Sequence, residues 1–399
     1  MSRIISRSRT LALGSSLALG LFFPLTAVYG QETTLYEFTG GNDGGNPPCG
    51  LISGGKGLLP GVSLFYGTTQ IGGASNYGTV FEIGNTGFES PLYSFTGGTD
   101  GAYPFAGVIT DPSGDIYGTT AEGGAYGEGV VFKLAGGTET VLHPFAGGSS
   151  DGALPVASLI IDGAGNLYGT TYIGGTDDMG TVFKVTPSGT ESILHSFSGG
   201  DGAYPAASLV MDSTGTLYGT TYEGGTSTNC AGGCGTIFKL PTGGAESVIH
   251  SFSGGDGALP AAALIREGNG DLYGTTAEGG SNNLGAVFEF SNKGKLVVLH
   301  SFAGGSDGSY PVSPVAKKSG FLYGTTSSGG TSGDGTVYKT PDKPASDTVL
   351  HSFTGGSDGA DPKGGLLYHS GVFFGAAYAG ANPGCNSGNG CGTVFEIKR

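Results

Sequence analysis

Residues 217–221 read Leu-Tyr-Gly-Thr-Thr, and this pentapeptide or a close variant occurs seven times along the 399-residue chain. The aromatic residue in its second position recurs in steps of 50 to 55 residues, at Tyr66, Tyr117, Tyr168, Tyr218, Tyr273, Tyr323 and Phe374. A Phe shortly before a Gly-Gly pair and an Asp-Gly dipeptide repeat in the same register. The chain therefore consists of seven copies of one structural unit.

Each unit contains four short apolar runs, which in one region of the chain lie at 193–197, 208–212, 217–221 and 235–240. Runs of this length that are rich in Val, Ile, Thr, Phe and Tyr and are separated by Gly, Asp, Asn and Pro are typical of β-strands. Four strands in about 50 residues, repeated seven times, predict an all-β fold, a seven-bladed β-propeller of four-stranded blades. Parallel β-helices have shorter repeats, and leucine-rich solenoids show a ladder of Leu, so both fit less well.

The order of the runs predicts how the ring closes. The 208–212 type of run is the most apolar and is expected to be the inner strand, followed by the Leu-Tyr-Gly-Thr-Thr second strand, a Gly-Thr-Val-Phe third strand and a Leu-His-Ser-Phe outer strand. The first strand-like segment after residue 30, Leu35 to Phe38, is of the outer type, whereas the last, Gly392 to Ile397, is of the third type. We therefore expect the N-terminal strand to pair into the last blade, which removes two free sheet edges.

The same order assigns the connections to two faces of the ring. The Asp-Gly-Ala-x-Pro loops from outer to inner strand and the Gly-Gly loops from second to third strand share one face, called here the loop-rich face. The remaining connections are tight turns on the opposite face, called here the tight-turn face. Because longer and more varied loops usually carry function, the loop-rich face is the better candidate for a site.

The composition is glycine-rich and acidic, with 83 Gly, 32 acidic against 17 basic residues, a net charge of −15 and a pI near 4.6. This charge excludes a nucleic-acid-binding protein that acts through basic patches. The 41 aromatic residues, 19 Tyr and 22 Phe, must be buried in a folded core, although a Gly content this high would otherwise suggest disorder. So much Gly also disfavours a helical protein.

The amino terminus has the pattern of a secretory signal peptide over residues 1–30. Arg3, Arg7 and Arg9 precede an apolar stretch at 11–28, and cleavage is expected after Gly30 or after Ala27. A retained membrane anchor is the alternative. Residues 31–399 are then expected to form a single propeller domain of a secreted or periplasmic protein, a monomer with no membrane span after signal removal and no visible anchor.

The repeat unit, with Leu-Tyr-Gly-Thr-Thr, Gly-Thr-Val-Phe-Lys, Leu-His-Ser-Phe and Asp-Gly-Ala-x-Pro, resembles the Gloeo_Verruco ("GloVer") tandem repeat of exported bacterial proteins. The resemblance covers the chain from about Leu35 to Lys398. It implies export and a repeat fold. It implies no catalytic residue. The chain departs from the family pattern in one respect, since members often carry a carboxy-terminal sorting anchor and no such anchor is visible here.

Histidine and aspartate recur within the frame of the repeat. Five of the six His residues occupy one position of the outer strand, where Tyr36 and Tyr93 stand in two other copies, which indicates packing rather than catalysis. Only His369 is out of register. One Asp per copy precedes Gly in the outer-to-inner loop, which is typical of a turn that binds backbone N–H groups. A calcium site is the alternative, but we expect no metal and no cofactor, since one Asp per blade is too sparse.

Positions that vary within the fixed frame are better candidates for a ligand site. Aromatic rings beside carboxylates on the loop-rich face could hold a sugar or a cationic group; the alternative is that the rings only cover the core. The candidates are Tyr103, Tyr204, Tyr310, Glu122, Tyr172, Tyr222, Glu223 and Glu278. These features favour a binding or surface-interaction module for carbohydrate or another polar ligand. A secreted propeller enzyme of the lyase or hydrolase kind is the alternative.

The five Cys residues are expected to be oxidised in an exported protein. Cys230 and Cys234 flank one Gly-rich loop, and Cys385 and Cys391 flank the equivalent loop of the last copy, so two local disulfides are predicted. A zinc site made by these four residues is disfavoured because the loops belong to distant blades. Cys49 is expected to be free, and its exchange with a Cys of the last blade is the alternative.

Overall fold

The computed structural model describes residues 30–56 and 61–398, and its strands form seven four-stranded antiparallel sheets arranged as the blades of a β-propeller. The signal peptide predicted at 1–30 lies almost wholly outside the described residues. In the order inner, second, third and outer strand, the blades are as follows: blade 1, Ile52–Lys56, Ser63–Thr69, Thr79–Gly84 and Glu89–Ser94; blade 2, Ile109–Thr110, Ile116–Thr120, Val130–Ala135 and Thr138–Pro144; blade 3, Ile160–Ile161, Leu167–Thr171, Thr181–Val185 and Glu191–Ser196; blade 4, Val210–Met211, Leu217–Thr221, Thr236–Leu240 and Ser247–Ser251; blade 5, Ile265–Arg266, Leu272–Thr276, Ala286–Phe290 and Leu296–Ser301; blade 6, Ala316–Lys318, Phe321–Thr326, Thr336–Pro341 and Thr348–Ser352; blade 7, Leu367–His369, Val372–Ala377, Thr393–Lys398 and Glu32–Glu37.

The remaining regular structure is short. Gly152–Ala153 pairs with Ile173–Gly174 in a separate two-stranded sheet, and single 3₁₀ turns lie at Gly148–Ser150, Gly305–Asp307 and Asn386–Gly388. Within residues 30–56 and 61–398, no helix is long and apolar enough to cross a membrane.

The predicted ring closure is confirmed. The N-terminal strand Glu32–Glu37 is the outer strand of blade 7 and pairs antiparallel with Thr393–Lys398, with Glu32 opposite Ile397 and Glu37 opposite Thr393. The Phe38 amide then donates to the carbonyl of Gly392 at 3.0 Å. The first strand of the described chain therefore completes the blade that contains the last strand.

Neighbouring blades are joined by pairs of aromatic rings. The Phe that follows each outer strand lies edge-on against the third-strand ring of the next blade, with centroids 5.0 to 5.3 Å apart. Edge-to-face packing of buried rings is favourable by about 0.5–1.5 kcal/mol beyond the area that it buries. The pairs are Phe38–Phe81, Phe95–Phe132, Phe145–Phe183, Phe197–Phe238, Phe252–Phe288, Phe302–Tyr338 and Phe353–Phe395.

The two sets of longer loops share one face, as predicted. In blade 4 the loop that enters the inner strand and the loop that follows the second strand are bonded to each other: the Ala203 amide donates to the Glu223 carbonyl at 2.9 Å, and the Glu223 amide donates back at 3.0 Å. The same bridge joins Ala102 with Glu122 and Ala258 with Glu278. On the loop-rich face, these outer-to-inner loops are therefore held by the second-to-third-strand loop of the same blade.

Both predicted disulfides are present. Cys230 is bonded to Cys234, and Cys385 to Cys391, each across a second-to-third-strand loop, and Cys49 is free. Disulfides persist in oxidising compartments, so these two bonds fit an extracellular protein.

Candidate functional site

A cavity of about 520 Å³ lies where the inner strands begin. Its wall is formed mainly by the short segments that follow the Pro of each outer-to-inner loop, so all seven blades contribute. Most of the contributing side chains are small and apolar, and they include Val156, Ala206, Ala261 and Val312. Small residues leave space at the centre of the ring, and their lack of charge makes most of the wall apolar.

One corner of this cavity is polar. Lys363 of blade 7 replaces the small apolar residue, and its Nζ lies 2.9 Å from Asp361 Oδ2 and 3.8 Å from the ring centroid of Tyr378. The Tyr378 hydroxyl donates to Gln70 Oε1 at 2.5 Å. Burial, together with the negative charge of Asp361, raises the pKa of Tyr378, so this phenol stays neutral and can donate. Lys363 occurs in one copy alone, which makes the corner a break in the sevenfold pattern.

Five of the predicted ligand-binding residues come together on blades 3 to 5, and this group is called here the tyrosine patch. Tyr172 stacks on Tyr204 with centroids 5.1 Å apart and ring planes inclined by 28°. Burial raises the pKa of both Tyr172 and Tyr222. The charge of Glu223 raises the pKa of Tyr172 further, and the charges of Glu278 and Glu223 do the same for Tyr222. Tyr172 and Tyr222 directly follow the second strand of their blades. Gln70 and Tyr378, which line the cavity, hold the equivalent position in blades 1 and 7.

The other predicted residues are spread over the same face. Tyr103 and Tyr310 precede the inner strands of blades 2 and 6, whereas Tyr204 precedes that of blade 4. Each takes a positive φ near 55°, and none of the three is fully buried, with Tyr310 38% exposed. Tyr103 packs on Tyr77, with centroids 5.5 Å apart, and in the described part of the chain no ring contact joins the three to one another. Glu122 is exposed, and its backbone holds the Ala102 loop.

The repeated His position has a hydrogen-bonding role as well as the predicted packing role. His195 Nε2 lies 2.9 Å from Asp201 Oδ2, and the ring lies edge-on against Phe197 at 4.7 Å. In the two copies with Tyr at this position, the hydroxyl reaches the same Asp, as in the 3.0 Å bond from Tyr93 to Asp100. Either ring fits because each presents a polar atom to the loop Asp. The same Asp also accepts backbone N–H groups, as the turn interpretation predicts.

A third member of this arrangement was missed by sequence reasoning. An acidic residue lies four positions before the His or Tyr of an outer strand, and it is close to the loop Asp of the preceding blade. Burial raises the pKa of this carboxyl group to about 7, for example in Glu89 and Glu139. In each of these two residues, Oε1 is buried with no hydrogen-bond partner. The recurrence is visible in the sequence at Glu32, Glu89, Glu139, Glu191, Glu246 and Asp347.

These carboxyl groups predict a pH dependence of stability. Glu139 has its folded-state pKa raised from 4.5 to about 7, by burial and then by the charge of Asp100, so the folded state binds the proton more tightly than the unfolded state. The resulting stabilisation is complete below pH 4.5 and is lost as the pH rises through 7. After allowance for solvent screening, each such group contributes about 1 kcal/mol. Urea denaturation between pH 5 and 8 should therefore show falling stability.

The variant Glu139→Gln isolates one such group, because the amide keeps the shape of the acid and does not ionise. We expect its loss of stability between pH 5 and 8 to be smaller than that of the unmodified chain by about 1 kcal/mol. Glu122→Gln is the matched control, since this side chain is exposed on a loop. Equal pH slopes for the two variants would contradict the assignment.

His369 lies on the tight-turn face, and the structure gives it a partner that the sequence did not indicate. Its Nε2 lies 2.9 Å from the Ser63 hydroxyl, and its ring lies edge-on against Phe65, with centroids 5.5 Å apart. The pair joins blade 7 to blade 1. Its position therefore indicates a contact that secures the junction between these blades.

Cys49 lies in the wall of the axial cavity rather than beside the disulfide of blade 7. Its thiol donates to the carbonyl of Phe105 at 3.1 Å, and burial raises its pKa to about 12. A thiol with so high a pKa is hardly ionised at neutral pH, which disfavours nucleophilic chemistry.

The fold is shared with solved structures of low sequence identity. Virginiamycin B lyase from Staphylococcus aureus superposes with a TM-score of 0.57 at 12% identity, covering 92% of this chain and 98% of the lyase. A streptogramin B lyase superposes with a TM-score of 0.57 at 14% identity, covering 92% of this chain and 97% of that lyase. A third structure is the extracellular domain of a protein assigned to a hybrid two-component system of B. thetaiotaomicron. It superposes with a TM-score of 0.58 at 10% identity, covering 92% of this chain and 39% of that chain. At such identities the likeness establishes the propeller fold alone.

No curated protein gives a significant sequence match to the chain. The model of the Gloeobacter/Verrucomicrobia repeat, in contrast, matches residues 9–232 and 226–399, which together span nearly the whole sequence. With its seven blades, its repeated Leu-Tyr-Gly-Thr-Thr strands and this match, the chain belongs to the Gloeobacter/Verrucomicrobia repeat family.

Proposed function

We propose that this protein is an exported binding module that holds a carbohydrate on the loop-rich face, at the tyrosine patch beside the axial cavity. The observation that carries the proposal is the stacked pair of Tyr172 and Tyr204 with Glu223 next to it. Aromatic faces pack against the C–H surface of a sugar, and carboxylates accept its hydroxyl groups. The polar corner at Lys363, in the wall of the axial cavity, supplies a second set of hydrogen-bonding groups on the same face.

Export is part of the proposal. Residues 1–30 have the composition of a signal peptide, and the two disulfides fit an oxidising compartment. We propose that residues 31–399 constitute the mature, monomeric domain.

The test is a glycan array probed with the labelled mature chain. The variant Tyr204→Leu introduces the residue that the equivalent loops carry at Leu154 and Leu259, both at the same positive φ, so the fold should tolerate it. We expect this variant to bind the selected glycan at least about tenfold more weakly, a loss of about 1.4 kcal/mol, with its melting temperature unchanged within a few degrees. Tyr103→Leu is the matched control and should bind like the unmodified chain.

Binding of no glycan, or an equal loss in Tyr103→Leu, would refute the site. Prolonged incubation of the bound glycan followed by mass spectrometry tests the enzyme alternative. An unchanged glycan mass supports the binding module, and a cleaved or eliminated product supports a propeller enzyme.

A further inference from the structure

Among the residues that the structure describes, three clusters at the rim of the ring each combine one imidazole with two carboxylates. In every cluster a His of one outer strand and the Asp of the following loop meet an acid of the next blade, and the candidate ligand atoms all lie within 4.8 Å of one another. The clusters are His143 with Asp151 and Glu191, His195 with Asp201 and Glu246, and His300 with Asp307 and Asp347. Each cluster therefore bridges two neighbouring blades.

The clusters contain carboxylate oxygens that the protein leaves without a partner. The side chain of Asp347 is only 10% exposed, its Oδ1 lies 3.8 Å from His300 Nε2, and its Oδ2 is buried with no hydrogen bond. Glu191 and Glu246 also have one buried oxygen each without a partner. A buried acceptor that loses water and gains no hydrogen bond is costly. A cation bound among these groups would remove that cost.

The other four inter-blade pockets of the described chain differ from this arrangement. Two have Tyr in place of His, at Tyr36 and Tyr93. In a third, Leu296 stands where the acid would face His250. The fourth keeps its His351, Asp358 and acid, but Glu32 accepts a hydrogen bond from the Thr34 hydroxyl at 3.1 Å and thus has a partner already. The first three pockets are therefore natural versions of the site with one ligand replaced.

We propose that the three complete clusters are binding sites for a divalent transition-metal ion of the zinc type, each ion linking two blades. Imidazole nitrogen and carboxylate oxygen are the ligands that Zn²⁺ accepts, whereas Ca²⁺ prefers oxygen alone. Two ligand atoms bound tetrahedrally at about 2 Å from one ion lie about 3.4 Å apart. His143 and Asp151 are already 3.3 Å apart, and His300 and Asp307 are 3.2 Å apart.

Binding replaces the proton shared by His and Asp. The neutral imidazole takes the tautomer with its proton on Nδ1 and donates the freed Nε2 lone pair to the ion. The carboxylates donate oxygen lone pairs, and any proton that they hold leaves to solvent. The ion then joins the outer strand of one blade to the outer strand of the next. We expect it to raise the melting temperature, because it binds only where both blades are in place.

The test is equilibrium dialysis of the untagged, chelator-treated mature chain against zinc chloride, with the bound metal counted by mass spectrometry. We expect about three zinc ions per chain, one for each complete cluster. Glu246→Leu copies the natural Leu296 pocket and should lower the count by one. Leu296→Glu supplies the missing acid beside His250 and Asp256 and should raise it by one. His250→Gln, in the incomplete pocket, is the matched control and should leave the count unchanged.

Cobalt gives an independent readout, since Co²⁺ held by the clusters should show visible absorption bands whose intensity changes with the same variants. If Glu246→Leu fails to fold, His195→Tyr replaces it, because the chain already carries Tyr at the equivalent position of two blades. The proposal is overturned if the unmodified chain retains no zinc, or if the variants at 246 (or 195) and 296 leave the count unchanged.

Discussion

Removal of residues 31–38 is expected to lower the free energy of unfolding by more than about 4 kcal/mol, because truncating one buried Phe costs about 3–5 kcal/mol by itself. The lost residues include Phe38, which is fully buried against Phe81 of blade 1, and the strand Glu32–Glu37 that completes blade 7. Its absence also exposes the edge of Thr393–Lys398. Urea denaturation of chains that begin at residue 31 and at residue 39 measures the difference.

A peptide of residues 31–41 added to the truncated chain is the control for this prediction. The peptide should bind the open edge of blade 7 and raise the melting temperature in a concentration-dependent manner. A peptide with Phe38→Ala should do so much less. If the truncated chain melts like the longer one, the N-terminal strand does not close the ring.

The second large effect is expected from Gly219→Ala in the centre of Leu-Tyr-Gly-Thr-Thr. A Cβ atom there would lie 2.6 Å from Cζ of Phe238 and 2.8 Å from Cδ2 of Leu209, and both side chains are buried. The ring crosses directly over this glycine, so an added methyl group overpacks the core, at a cost of about 1–3 kcal/mol. All seven copies have Gly at this position, and the reason is space.

Gly163→Ala is the matched control, because a Cβ atom at this tight turn would meet nothing within 4 Å. Its stability should be unchanged or slightly higher, since Ala restricts the unfolded chain more than Gly does. The double variant Gly219→Ala with Phe238→Leu should recover part of the loss. Equal urea midpoints for Gly219→Ala and Gly163→Ala would contradict the packing argument.

The fold could be predicted from the sequence because the signals were local and repeated. The strand runs around Leu217–Thr221, their spacing and the outer-strand type of Leu35 to Phe38 specified the blades, the strand order and the closure, all confirmed by the pairing of Glu32–Glu37. The two disulfides were predictable for the same reason, since each pair encloses one loop.

The site was less predictable because it depends on which copies become neighbours in the ring. Tyr172 and Tyr204 were candidates, but their stacking depends on the path of two loops at one blade. Lys363 stands out only when the copies are aligned, as a cation at the position that Val156 and Ala206 occupy in other blades. The acid that joins each His and Asp comes from the next copy, so a reading of one copy at a time missed it.

The claim that the loop-rich face carries the ligand is tested most directly by hydrogen–deuterium exchange with and without the glycan selected on the array. Bound glycan should slow exchange in three segments that contain residues of the tyrosine patch and the polar corner, 203–206, 222–225 and 361–366. Segments 163–166 and 187–190, on the tight-turn face, should exchange at the same rate in both samples. Protection confined to the tight-turn face, or to the outer strands, would contradict the account.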